Sequence, residues 1–222
     1  MLLTRITLRD VGIYGGTHTF ELATKPQRPI VLYGGANGAG KTTLFESIKL
    51  CLYGQASTDN KITKKQYHKK IHRLFHRYSK THTSAREATI ILDFEYSQHG
   101  KIDQYRIVRS WQNIDGGIEE TLTMQKWLEE RSAYLIIDGE RNQIQMMINQ
   151  MIPEAIASMF FFDGEKIQDI VQSGNEDAHI RSSFDTLLGL DIPKKLSDDI
   201  GLYLLRKSNS CLLYTSPSPR DS

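Results

Sequence analysis

Eight consecutive residues, Gly35-Ala36-Asn37-Gly38-Ala39-Gly40-Lys41-Thr42, constrain this chain more than anything else in it. They fit the pattern GxxxxGK[ST] at every fixed position. The apolar run Ile30–Tyr33 precedes them and predicts a buried strand. Thr42–Tyr53 comes after them, with Leu44, Phe45, Ile48, Cys51 and Leu52 at helical spacing. Glycine tolerates the tight bend between strand and helix, so several backbone N–H groups converge on one concavity. The positive end of the adjoining helix adds to its attraction for anions. Such a concavity accepts phosphate oxygens. Lys41 would reach the β- and γ-phosphates of a nucleoside triphosphate, and the Thr42 hydroxyl would ligate Mg²⁺. The expected cofactors are ATP and Mg²⁺, held by Gly35, Asn37, Gly38, Ala39, Gly40, Lys41, Thr42 and Thr43.

The rest of the composition narrows the class. With 222 residues, 39% hydrophobic and 24% charged, the chain reads as an ordinary globular protein. Its net charge of +2 does not by itself demand an acidic partner. No uninterrupted apolar run is long enough to predict a membrane span, and the charged opening MLLTRITLRD lacks the apolar core of a signal peptide. Cys51 lies in the apolar helical run and Cys211 in the C-terminal tail, so no disulfide framework is expected and a reducing cytoplasm is the expected compartment.

Along the chain, alternation over residues 2–14 predicts a strand, and GTHTFELAT its hairpin partner with Gly15-Gly16 at the turn. Residues 87–112 predict two strands around a turn at His99-Gly100. ETLTMQKW and SAYLIID extend that sheet, with Gly116-Gly117 as a turn, and Asn142–Met151 reads as helix. Arg106 and Arg109 lie in a predicted strand and are expected to be sheet-surface charges. The last residues, CLLYTSPSPRDS, break abruptly with what precedes them. They resemble a translated sequencing adapter, so residues 211–222 are expected to be a non-native tail on a piece of a longer protein.

Residues 60–86 contain no acid. Their cations include Lys64, Lys65, Lys69, Lys70, Arg73 and Arg77, while Tyr67, Ile71, Leu74, Phe75 and Tyr78 recur at helical spacing. Two readings stand: a solvated basic face, or a surface that neutralises DNA phosphates. His68, His72 and His76 recur every four residues, but no acid or cysteine nearby completes a zinc site. AYLIID ends in Asp138 and is the nearest approach to an apolar strand carrying a magnesium-binding acid.

The segment GGANGAGKTTLFESIKLCLYG resembles the Walker A region of the SMC-like ATPases, the group that includes SbcC-type repair ATPases, RecF and SMC proteins. Asn37 and Gly38 carry much of that likeness, and the opening MLLTRITLRDVGIYGGTHTFEL is similar to the family's first hairpin. Within the group, FFFDGEKI at 160–167 and LLGLDIPKKLSDDI at 187–200 look most like DndD-type ATPases of the DNA phosphorothioation system. The resemblance implies an α/β P-loop fold, the N-terminal lobe of an ABC/SMC-type ATPase head with a mixed sheet and a helical lobe. Residues 1–160 would form that lobe, and residues 161–210 a helical segment leading to a coiled coil. It also implies that Asp163 takes the Q-loop position as a catalytic or Mg²⁺-binding carboxylate, in place of the family's usual glutamine. Asp138 comes before that position, the wrong chain order for this family's Walker B strand. Implied partners are DNA, a second copy of the head joined through ATP, and other DNA sulfur-modification proteins, with no membrane. Hydrolysis would require a C-terminal half with the Walker B and signature motifs. Other readings are an SbcC- or RecF-like repair ATPase, a small-molecule P-loop phosphotransferase, and a nucleotide-gated scaffold without turnover.

Overall fold

The computed structural model describes residues 1–57, 62–79, 81, 83–98, 100–114, 117–154, 161 and 200. The compact unit Met1–Glu154 contains all of the helices and strands given below. Its frame is a six-stranded sheet built from β1 (Leu2–Val11), β2 (Tyr14–Glu21), β5 (Glu87–Gln98), β6 (Lys101–Ile114), β7 (Gly117–Leu128) and β8 (Ala133–Ile136). The order is β2-β1-β5-β6-β7-β8, and every described pairing in it is antiparallel. Among the described residues of this unit, three α-helices accompany the sheet: α1 (Lys41–Tyr53), α2 (Lys64–Leu74) and α3 (Arg141–Met151). A two-residue ribbon, β3 (Arg77–Tyr78) with β4 (Thr83–Ser84), links α2 to the sheet.

Side chains alternate across each strand, so one face of the sheet collects the apolar set. The register aligns Ile6 with Leu92, Leu92 with Ile107, and Ile107 with Met124, a row of fully buried side chains across four strands. On this face α1 contacts β5 and β6, while α2 and α3 contact β7. Leu44, Ile48, Cys51 and Leu52 supply the buried side of α1, as their spacing predicts. Burial also pushes the Cys51 thiol up to about 12, which makes it an inert core side chain. Tyr67 and Ile71 bury one side of α2, and Thr63 and Gln66 close its N-terminus with a reciprocal capping box.

Three expectations need correction. Gly15 and Gly16 lie inside β2; the hairpin turns at Gly12-Ile13, where Val11 pairs with Tyr14. Asp10 and Gly12 take left-handed φ values of 53° and 57° to make that turn. Second, Ile30–Tyr33 forms no strand and is not buried. Its exposure alternates, 80% at Ile30, 39% at Val31, 88% at Leu32 and 38% at Tyr33, as in a segment covered along one side only. A strand needs a hydrogen-bonded neighbour, and the described residues provide none beside this segment. Tyr33 is nevertheless tied down: its hydroxyl donates to the Glu21 carbonyl, and its ring meets Phe20 edge-on at 5.6 Å.

The third correction is Arg109, which is buried rather than on the sheet surface. Its guanidinium pairs with Glu120 and donates to the Cys51 carbonyl at 2.9 Å and to Gln145 Oε1 at 2.5 Å. Cys51 belongs to the last turn of α1, whose carbonyls have no partner within the helix. Arg109 therefore acts as a cap reaching up from the sheet, with its charge at the negative end of the helix dipole. A second cation, Arg141, reaches Glu120 Oε2 at 2.9 Å, and Tyr67 donates to the same oxygen at 3.2 Å. Burial, and after it the Glu120 charge, raises the Tyr67 phenol above its ordinary value, so it stays a donor. Arg106 points to the opposite face, where it forks onto Asp93 at 2.6 and 3.0 Å.

Candidate nucleotide site

The glycine loop bends tightly into the start of α1. Gly38 and Gly40 take φ values of 80° and 93°, and α1 starts immediately after Gly40. A side chain at Gly38 would meet nothing within 4 Å, so that face of the loop is open. Gly40 is the helix N-cap and offers no side chain to the first-turn N–H groups. No acid sits in that turn either. Among the described residues no side chain caps those N–H groups, and a phosphate would satisfy both their hydrogen bonding and the helix dipole. The Lys41 ammonium lies over the loop, donating to the carbonyls of Gly35 at 2.8 Å and Ala36 at 2.9 Å. It is exposed, so these are contacts that an anionic ligand can replace. Thr42 is exposed in the first turn, where its hydroxyl would serve Mg²⁺, and Thr43 is half-buried behind it. Residues and backbone thus fit a triphosphate with its magnesium, which would supply the electrophilic phosphorus and neutralise its charge.

The loop is buttressed by the β1–β2 turn. Tyr14 Oη donates to the Gly40 carbonyl at 3.2 Å. A Cβ at Gly40 would lie 2.6 Å from Ile13 Cδ1, and one at Gly12 would lie 2.8 Å from Thr43 Cγ2. Glycine at both positions, each at a positive φ, lets the turn and the loop come this close. An open groove of about 1110 Å³ starts at this junction, lined by Gly12, Ile13, Thr43, Arg73, His76 and Tyr78 among others.

The basic segment reaches the same groove. Lys64, Lys65, Lys69 and Arg73 are exposed along α2, Lys70 is half-buried, and Arg77 is exposed on β3. His76 lies beyond the end of α2, so it does not share a helix face with His68 and His72. Among the described residues no cluster of histidine, cysteine and acid could hold a metal. Asp138 comes after β8, the edge strand farthest from β1 and β2 in the sheet order. An antiparallel edge strand is the wrong setting for a carboxylate that must lie beside the phosphate loop. Asp163 lies outside the described residues, as do the rest of FFFDGEKI apart from Phe161 and, apart from Phe161 and Ile200, the segment 161–210 expected to lead to a coiled coil.

Fold and loop together define an α/β P-loop ATPase N-terminal lobe. A family model described as an AAA domain matches residues 5–202, and the chain belongs to that family. Over 51 residues the chain is also 45% identical to the SbcC subunit of nuclease SbcCD from Treponema pallidum (strain Nichols). That match covers 23% of this chain and 5% of the relative's length, so the chain spans only a small part of the curated relative. The family and the relative agree on an SMC/SbcC-like ATPase superfamily; the relative's name refers to a nuclease. No helix among the described residues is long and apolar enough to cross a membrane.

Proposed function

We propose that this chain is the ATP-binding lobe of an SMC-like ATPase that acts on DNA, with Mg²⁺ as its metal. The observation that carries this reading is the loop from Gly35 to Thr42, with its left-handed glycines, its open helix N-terminus and its overlying lysine. The α- to γ-phosphates lie along the loop, and the groove beside Thr43 gives ribose and base their room. Ile30–Tyr33 leads into the loop without a strand partner among the described residues, and its uncovered side would pack against strands contributed by a further segment of the ATPase head. Those strands bring the magnesium-holding carboxylate and the signature loop, and ATP joins two heads. Asp163 assists at the Q-loop position. Taken by itself, the full chain should bind MgATP and turn it over little. Robust hydrolysis by the monomeric chain overturns the need for an outside segment.

The exposed cations of α2 supply the DNA contact in this reading. Reversing three of them, Lys64→Glu, Lys69→Glu and Arg73→Glu, should weaken duplex binding by about 100-fold or more at low salt and flatten the salt dependence. Unchanged binding in a fluorescence-anisotropy titration assigns these cations to a solvated face instead.

The likeness of FFFDGEKI and LLGLDIPKKLSDDI to DndD-type proteins favours a role in DNA phosphorothioation, cooperating with sulfur-modification proteins in the cytoplasm. No cysteine pattern here suits sulfur transfer itself, so the contribution is ATP-driven work on DNA. A second reading, an SbcC-like repair ATPase, is favoured by the 51-residue match. Sulfur-transfer genes beside the gene support the first, and a nuclease gene supports the second.

A further inference from the structure

The β1–β2 turn is gripped from two sides. One side is the phosphate loop, through Tyr14, Ile13 and the close approach of Gly12 to Thr43. The other is the segment that leaves α2. There the Gly12 N–H donates to the Leu74 carbonyl at 2.6 Å, and the His76 N–H donates to the Asp10 carbonyl at 2.9 Å. Tyr78 Oη donates to Asp10 Oδ1 at 2.7 Å, and the same oxygen accepts the Gly16 N–H at 2.6 Å. At the centre is the His76 ring. Its Nδ1 sits 2.8 Å from the Gly12 carbonyl oxygen. A carbonyl only accepts, so Nδ1 carries the proton. The ring's other edge lies over Gly15, where a Cβ would be 2.5 Å from Nε2.

The turn needs this grip. Asp10 is a non-glycine residue at a φ of 53°, a conformation that costs energy unless its surroundings enforce it. Asp10, Gly12 and Gly16 all take positive φ values within seven residues, and each is tied into the His76–Tyr78–Asp10 set of hydrogen bonds. The set also decides how far Ile13 and Tyr14 reach over Gly40.

We propose that His76 is a positioning residue for the nucleotide. Its Nδ1–H holds the Gly12 carbonyl, which seats the β1–β2 turn on Gly40 and Thr43 and keeps the glycine loop in its phosphate-accepting form. This rests on reading Gly35–Thr42 as the phosphate cradle. His76 acts through the turn rather than by holding the phosphates, and exchange at the loop amides separates that role from a contact made in the groove it also lines.

The test is MgATP affinity of the full 222-residue chain, measured by calorimetry for the unmodified protein, His76→Ala, His76→Asn and His76→Gln. Asparagine places an amide nitrogen near the position of Nδ1, whereas the longer glutamine places it near Nε2. We expect His76→Ala and His76→Gln to bind about tenfold more weakly, and His76→Asn to bind within about threefold of the parent. Hydrogen exchange at the Gly40–Thr43 amides should rise in the two weak variants and not in His76→Asn. Should His76→Ala fail to fold, the asparagine–glutamine pair still decides. Equal affinity in all folded forms overturns the proposal. A parent that binds no MgATP overturns the cradle reading and this proposal with it. A parent that binds, loses binding in Lys41→Ala and is indifferent at His76 overturns this proposal alone.

Discussion

Lys41→Ala is expected to reduce MgATP affinity by about 100-fold or more. The magnitude comes from the chemistry. A lysine ammonium on phosphate oxygens makes charge-assisted hydrogen bonds of roughly 1.5–3 kcal/mol each. Each 1.4 kcal/mol is about tenfold in affinity. In the structure the ammonium spans the loop carbonyls of Gly35 and Ala36, so it is already poised over the concavity. Folding should hardly notice the change, because Lys41 is exposed and such substitutions usually shift stability by no more than about 0.5 kcal/mol. The expected signature is therefore a lost calorimetric binding isotherm with an unchanged melting temperature. Retained affinity in Lys41→Ala would remove the phosphate reading of the loop, whatever the family.

Arg109→Ala should have the opposite signature, a large loss of stability. Arg109 and Glu120 expose 1% and 5% of their side chains. Removing the arginine leaves Glu120 buried with Arg141 as its one remaining charged partner among the described residues, and it uncaps the α1 carbonyl of Cys51. Breaking a buried pair of this kind typically costs about 3–5 kcal/mol. For a domain of this size that corresponds to a fall in Tm of roughly 6–20 °C. Gly54 belongs to the same site. Its φ is 56°, and a Cβ there would lie 2.5 Å from Arg109 Nη1, so the chain leaves α1 through a space that only glycine keeps open for the guanidinium. A thermal melt shifted by less than about 2 °C would show that Arg109 does not anchor α1 to the sheet.

Arg109 also shows where sequence reasoning stopped short. A charged residue in a strand is ordinarily placed outward. Yet Ile107, Arg109 and Trp111 alternate with Arg106, Val108 and Ser110, and the period of 2 puts Arg109 on the face of the two large apolar residues. The signal was present, but burying a charge requires partners, and apart from Glu120 on the neighbouring strand β7 they are far away in sequence: Gln145 on α3 and two carbonyls of α1. The hairpin turn is a similar case. Gly15-Gly16 is the stronger local turn signal, but the pairing of Ile6 and Leu8 with Leu92 and Ile90 fixes β1 through Val11, and the chain must reverse at Gly12. His76, grouped by spacing with His68 and His72, proved to belong with Gly12, 64 residues earlier.

The glycine loop, the helix next to it, the β5–β6 hairpin and the amphipathic basic helix were all determined by the sequence alone. Each rests on interactions between residues close in the chain, whether a left-handed glycine, a helical apolar stripe or a two-fold alternation. Only the tertiary structure decided that Ile30–Tyr33 lacks a strand neighbour among the described residues, that Arg109 is an internal cap, and that the β1–β2 turn sits on Gly40. Strand pairing, charge burial and backbone approach are settled by groups that meet only when distant segments pack, and no local pattern specifies which segments those are.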